Sequence, residues 1–377
     1  MVNAAISLTG SYDAQLGPYP VGVTTMQFKD KSRTSDSGAR SLLTEIFYPA
    51  EDGARSLPRN KFSDYLPQNL PASVITQIES KHCLGFYRRG IKLEELDSRW
   101  RNAAIRNARL RCGDAPASGW PLIIFSHDSG GTRFLYLYLL EMLASHGFIV
   151  ASCDHTGNAR FTFVDGEFVP MAARTDVSPF ESLKDRPLDL KFLIDEMSRL
   201  NLGGDERFAG RIDCRRVGAA GMSMGGTSIL AASEIDDRIA CVLPLASGVP
   251  RVRDRKNVAT PAMVVVGGKD RVVPKELNHR YYDMTSTDSY WLEVTHAAHW
   301  SFNSADQFDP PWRKKLEIPP KRCHGIVNSY ALAFFNVHLC GQQQFREFLQ
   351  RNHYEPSGDL HYEQKATVNP RQPRSKL

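Results

Sequence analysis

The sequence predicts an α/β architecture, a mostly parallel sheet carrying helices on both faces, and three observations lead there. Short apolar, β-branched runs recur from about residue 121 onward, segments of helical spacing separate them, and one glycine-flanked serine turn sits between such a run and such a helix. Strands alternating with helices are the pattern of stacked βαβ units, whose inner strands are buried on both faces and so read as continuous apolar runs.

The elements follow in order. Residues 21–28 and 42–48 form an antiparallel lead-in pair. Strands are expected at 121–126 (PLIIFS), 147–153 (GFIVASC), 217–221 (VGAAG), 239–245 (IACVLPL), 261–266 (PAMVVV) and 290–294 (YWLEV). A helix over 186–200 places Leu190, Leu193, Ile194 and Met197 on one stripe, with Asp185 as its cap and Pro187 in its first turn. A last helix over 324–339 presents Ile326, Val327, Tyr330 and Phe334. Two insertions interrupt the pattern. Residues 50–120 carry helical segments without a strand pattern, as a helical lid beside an active site would. Residues 158–180 contain FTFVDGEFV, where Asp165-Gly166 between apolar runs signals a hairpin. Residues 1–341 thus read as a single domain with lid and rim insertions, and 342–377 as a polar tail expected to fray.

Composition excludes several classes. Apolar residues at 42%, charged at 24% and aromatic at 10% are ordinary for a water-soluble globular chain, which argues against disorder, collagen and coiled coil. A net charge of +5 over 377 residues is too diffuse to suggest nucleic acid. Most of it lies in residues 50–120, with twelve Lys/Arg against eight Asp/Glu. Seven cysteines are scattered singly, with no C-x-x-C pair. Cys153 and Cys241 fall in apolar runs and read as buried thiols, so reduced cysteines and a cytoplasmic site are expected. The first residues lack the basic start and apolar core of a signal peptide, and no stretch approaches the ~18 apolar residues of a membrane span.

The chemistry centres on Gly221-Met222-Ser223-Met224-Gly225-Gly226, which follows the run VGAAG and precedes a helix-like segment. This is the context of a nucleophile elbow, where a serine on a strained strand-to-helix turn stands at the top of a sheet of the α/β-hydrolase fold. Such a serine needs a base within hydrogen-bond reach and an acid to hold the base's tautomer, in the chain order Ser, Asp/Glu, His. Asp270 follows the 261–266 strand in GGKDRVVP, while the segment after the preceding strand, Ala246-Ser247-Gly248, offers no acid. After the last strand come His296 and His299. His299, between small residues and Trp300, is the expected base, and His296 a structural group. The oxyanion donors are expected to be the backbone N–H groups of Met224 and of Ser129, the latter in the loop His127-Asp128-Ser129-Gly130-Gly131. His127 and His155 read as loop anchors. No metal site or phosphate-cradling glycine loop is apparent, and no cofactor is expected.

Taken together, Gly17-Pro18-Tyr19-Pro20-Val21-Gly22-Val23, Thr44-Glu45-Ile46-Phe47-Tyr48-Pro49-Ala50, Phe125-Ser126-His127, Arg186-Pro187-Leu188-Asp189 and the elbow resemble the platelet-activating-factor acetylhydrolase family and its dienelactone-hydrolase-like bacterial relatives. The resemblance implies metal-free hydrolysis of short or oxidised acyl groups from phospholipid-like esters. Two departures qualify it: Asp128 stands where acetylhydrolases carry glycine, and the acid position is closer to the dienelactone-hydrolase arrangement. A general carboxylesterase, a dienelactone or polyester hydrolase, and a catalytically retired binding protein are the alternatives. Finally, residues 98–111 hold Arg99, Arg101, Arg106, Arg109 and Arg111 without an acid, alongside Trp100 and Ile105. They read either as a solvated helix face or as a basic surface for a phosphate head group or an anionic membrane.

Overall fold

The computed structural model describes residues 16–35, 38–82, 90–172, 182–248, 258–308 and 318–365. Its main sheet has ten strands in the order β12-β11-β10-β9-β8-β4-β5-β2-β1-β3. The parallel centre is β5 (Ile149–Cys153), β4 (Trp120–Ser126), β8 (Ile212–Met222), β9 (Ile239–Leu245), β10 (Ala262–Gly267) and β11 (Ser289–Val294). The lead-in pair β1 (Val21–Ser35) and β2 (Gly38–Pro49) is antiparallel, and β2 joins β5 antiparallel.

Alternation along the central strands divides the core. Ile123 and Phe125 of β4 face one apolar layer, built with α3 (Leu137–Ser145) and α7 (Pro320–His338). Leu122 and Ile124 face the other, built with α4 (Ser182–Arg199), α5 (Met224–Ala232) and α6 (Lys275–Met284). On α4 the expected stripe Leu190, Leu193, Ile194 and Met197 is fully buried, each side chain contributing about 1.5–3 kcal/mol. The helix begins earlier than its sequence suggests: Pro187 lies inside it and Asp185 is already helical, so Asp185 does not cap it. Covering both faces leaves the carboxyl ends of the parallel strands as the open rim, where ligands of such sheets bind.

The second insertion forms as expected over its described residues, 158–172, while the first differs in part. The hairpin forms, β6 (Phe161–Val164) against β7 (Glu167–Pro170), and its two turn residues take φ 54° and 85°, as a two-residue mirror-image turn demands. Residues 50–120 do carry helices, α1 (Ala72–Gln77) and α2 (Leu93–Arg99). The basic run 98–111, however, is no helix. After Arg99 it becomes β3 (Ala104–Arg106), parallel to β1, because the buried Glu141 carboxylate captures the N–H groups of Ala103 and Ala104 at 2.7 and 3.1 Å.

Over residues 342–365 the C-terminal segment is ordered against the core rather than frayed, and residues 366–377 lie outside the described residues. Leu349, Tyr354 and Leu360 are buried, and β12 (Leu360–Lys365) pairs antiparallel with β11, covering an edge that would otherwise expose unpaired backbone. Among the described residues no helix is long and apolar enough to cross a membrane.

Candidate active site

β8 delivers Ser223 to the rim. The serine takes φ 54° and ψ −119°, a conformation non-glycine residues occupy only under strain of roughly 1–3 kcal/mol, and one that clusters at functional sites. Its N–H is held by Leu245 O at 2.8 Å. The glycines explain how the turn closes. A Cβ on Gly221 would lie 2.6 Å from Gly225 C, and a Cβ on Gly225 would lie 2.0 Å from Ser126 O. The elbow therefore packs directly on its own helix and on the end of β4.

Two further loops meet Ser223. After β10, Asp270 Oδ1 accepts the N–H groups of Val272 and Val273 at 2.8 and 2.9 Å, which turns Oδ2 inward. After β11, His299 opens a short 3₁₀ turn (His299–Phe302). Backbone bonds zip these loops together, with Gly268 N–H to Val294 O at 2.9 Å and Lys269 N–H to Ala297 O at 2.9 Å. His299 Nδ1 then lies 2.7 Å from Asp270 Oδ2, and Nε2 lies 3.0 Å from Ser223 Oγ. A carboxylate with no proton can only accept, so Nδ1 carries the ring proton and Nε2 is left to accept from the serine hydroxyl. Both the histidine and aspartate side chains are about 98% buried or more. His296, by contrast, is exposed, and at the rival acid position Ser247 donates to Asn278 Oδ1.

The loop after β4 brings Ser129 to the same rim, half-buried, while Met224 starts α5 directly after the nucleophile. Behind the loop His127 is locked: Nδ1 donates to Asp128 O at 2.6 Å and Nε2 accepts the N–H of His155 at 3.1 Å. Burial, with Arg186 and His155 beside it, holds this imidazole neutral far below its ordinary range. The Asp128 carboxyl accepts the Tyr136 hydroxyl at 2.7 Å, and burial raises its pKa. The Asp128 side chain is thus tucked inward.

Residues 6–167 match the family model for platelet-activating factor acetylhydrolase, isoform II, and residues 167–316, which hold the whole candidate triad, match the PET hydrolase-like model. A ferulic acid esterase from Streptomyces cinnamoneus superposes with a TM-score of 0.65 at 24% identity, over 86% of this chain and 91% of that one. The fold is that of the α/β-hydrolases, and the chain is similar in sequence to the platelet-activating-factor acetylhydrolases. The bovine acetylhydrolase is 25% identical over 88% of this chain and 78% of its own length. The guinea-pig enzyme is 26% identical over 61% of the chain, a match that spans 53% of that relative.

A second array imitates the candidate triad. Ser126 Oγ lies 2.8 Å from His155 Nε2, and His155 Nδ1 lies 2.8 Å from Asp189 Oδ2. All three are fully buried and Ser126 ends a regular strand, so no ester can reach its hydroxyl. Asp189 also receives both Arg40 (3.0 and 2.7 Å) and Arg33 (2.8 Å). The array ties the end of β4 to the segment after β5 and to α4. Sequence reasoning named His127 and His155 as anchors but did not see that Arg186 and Asp189, three residues apart on α4, complete the anchorage. The run Arg186-Pro187-Leu188-Asp189 was the available signal.

The arginines of residues 98–111 do not form one basic face. Arg106 turns inward to the buried Glu45 at 2.8 Å and to Asp64 O at 2.8 Å. Arg99 pairs with Glu95 and lies 4.5 Å over the Phe308 ring. Arg111 binds Asp52 and Asp114. Arg101 and Arg109 are exposed.

Proposed function

We propose that the chain hydrolyses carboxylic esters through an acyl-enzyme on Ser223. The observation that carries this is the placement of His299 between Ser223 Oγ and Asp270 Oδ2 at hydrogen-bonding distance on both sides. The serine oxygen attacks the ester carbonyl as its proton passes to His299 Nε2, and Asp270 stabilises the resulting imidazolium. The backbone N–H groups of Met224 and Ser129 receive the oxyanion. Collapse expels the alcohol, which takes the proton from His299. Water, deprotonated by the same nitrogen, then releases the acid and restores the serine.

For substrate, the proposal is a short or oxidised acyl chain on a phospholipid-like alcohol, supported by the acetylhydrolase match and by relatives named for that activity. An aromatic seam of Phe62, Trp100, Phe134 and Phe308 joins residues 50–120 to the loop beyond His299 and supports a covering role for that segment. Arg101 and Arg109, both exposed, are the arginines proposed to meet an anionic membrane. A cytoplasmic setting belongs to this reading, with Cys153 and Cys241 buried in apolar surroundings as thiols. A general carboxylesterase, or a dienelactone or polyester hydrolase, is the second reading, favoured by the PET hydrolase-like match across the triad.

An ester panel separates the two, run with wild type and Ser223→Ala. A lipid enzyme prefers short sn-2 acyl phospholipids and gains rate at a micellar surface. Flat activity across soluble aryl and alkyl esters, with no surface gain, supports the second reading. Hydrolysis that survives in Ser223→Ala removes both.

A further inference from the structure

The run Arg186-Pro187-Leu188-Asp189 leaves one buried cation that neither the triad nor the Asp189 array uses directly. Arg186 is fully buried, yet its hydrogen bonds go to neutral oxygens. Nη1 donates to His127 O at 2.5 Å, Nη2 to Asp128 O at 3.0 Å, and Nη2 also to Asn158 Oδ1. Asn158 in turn accepts the N–H of Gly130 through its carbonyl at 3.1 Å. Burial lowers the guanidinium pKa to about 10, against the opposing pull of Asp128 and Asp189, so it stays charged at neutral pH. Burying a cation against carbonyls is costly compared with a neutral donor of similar size. Such an arrangement calls for a use of the charge.

The loop it grips is the one that supplies the second oxyanion donor. The carbonyl of Asp128 and the N–H of Ser129 belong to one trans peptide plane and point in opposite directions. Pinning Asp128 O to Arg186 therefore fixes the Ser129 N–H on the side away from α4. The same bond polarises the peptide, because a cation on the oxygen strengthens the N–H as a donor at the other end. The loop has little room to drift, since Gly225 packs against Ser126 O and His127 O. An arginine fork is suited to hold two successive carbonyls at once, which a lysine cannot do.

We propose that Arg186 is a positioning residue for the reaction: it orients and polarises the Ser129 N–H, and so acts on the tetrahedral oxyanion without touching substrate. This rests on the esterase reading above. It predicts an effect on turnover rather than on substrate binding, since only the transition state carries the oxyanion charge.

The test compares Arg186→Met and Arg186→Lys with Arg40→Met, which removes a partner of Asp189 but no carbonyl contact of the oxyanion loop. Each is assayed with p-nitrophenyl acetate, with fluorophosphonate inactivation, and by thermal unfolding. Both Arg186 variants should lose kcat by roughly 10- to 100-fold, below the 10²–10³ typical of deleting an oxyanion donor itself. KM should stay within about threefold, and inactivation should slow in parallel, because the phosphoryl oxygen occupies the same hole. Arg40→Met should lower the melting temperature comparably while kcat stays within about twofold of wild type. Should Arg186→Met fail to fold, Arg186→Lys, which keeps the charge, reads the same way. Wild-type kcat in a folded Arg186 variant, or an equal loss of kcat in Arg40→Met, overturns the proposal. A wild-type chain that hydrolyses no ester would instead overturn the esterase reading on which it rests.

Discussion

His299 has both ring nitrogens committed, one to Asp270 and one to Ser223, and that double commitment makes its tautomer matter. Asp270→Asn keeps the shape but allows the amide to donate to Nδ1, which moves the ring proton to Nε2 and points it at the serine. Turnover should fall by roughly 10⁴ with the fold intact. His299→Ala should cost at least as much and His296→Ala little, since His296 is exposed. Steady-state kinetics on one soluble ester decides this, and the reverse order of the two histidines would reject the assignment. These three residues were legible in the sequence because each sits in a local context, a glycine-flanked turn or a loop after an apolar strand. Arg186 and Asp189 were not, because they act through carbonyls and side chains 34 to 149 positions away. Arg106 was misread for a related reason: its partner Glu45 lies on another strand, and no helical periodicity can announce it.

At the scale of elements, the elbow depends on contact between α5 and the end of β4. Gly225→Ala would force a methyl group to within 2.0 Å of Ser126 O and 2.6 Å of His127 O, neither of which is a flexible side-chain end. The loop bearing Ser129 must then move. The variant should lose most of its turnover, with a destabilisation on the order of 1–3 kcal/mol measurable by denaturant unfolding. Unchanged kcat would show that the loop's position does not govern catalysis. The central strands and the hairpin were legible because continuous apolar runs and an Asp-Gly turn are local signals. The C-terminal segment was not. Its burial rests on Leu349, Tyr354 and Leu360, too scattered to show a period, and its strand exists only because β11 offers an open edge. Likewise β3 forms where a helix was expected because Glu141, on α3, takes the N–H groups of Ala103 and Ala104 at its start.

The whole molecule carries several neutral imidazoles in its interior, and these set its response to acid. Burial lowers the pKa of His155 to about 4, with Arg186 adding to the shift and Asp189 opposing it, and burial lowers His338 to about 4. His127 is shifted the same way. In the unfolded chain these groups take up protons near pH 6.5, which folded His155 and His338 cannot match until about pH 4. Their contribution to stability is therefore complete above about pH 6.5 and is lost as pH falls toward 4. Thermal unfolding from pH 8 to pH 4 should show the midpoint falling below about pH 6.5, and a flat profile to pH 4 would contradict the account. The central claim concerns which of the serines near this rim is the nucleophile, since Ser126 has its own histidine and aspartate. The most direct measurement is stoichiometric labelling with a fluorophosphonate followed by peptide mass spectrometry. The account predicts one adduct per chain, on the peptide and residue Ser223, absent from Ser223→Ala and retained in Ser126→Ala. An adduct on Ser126 or any other residue, or labelling that persists in Ser223→Ala, would contradict it.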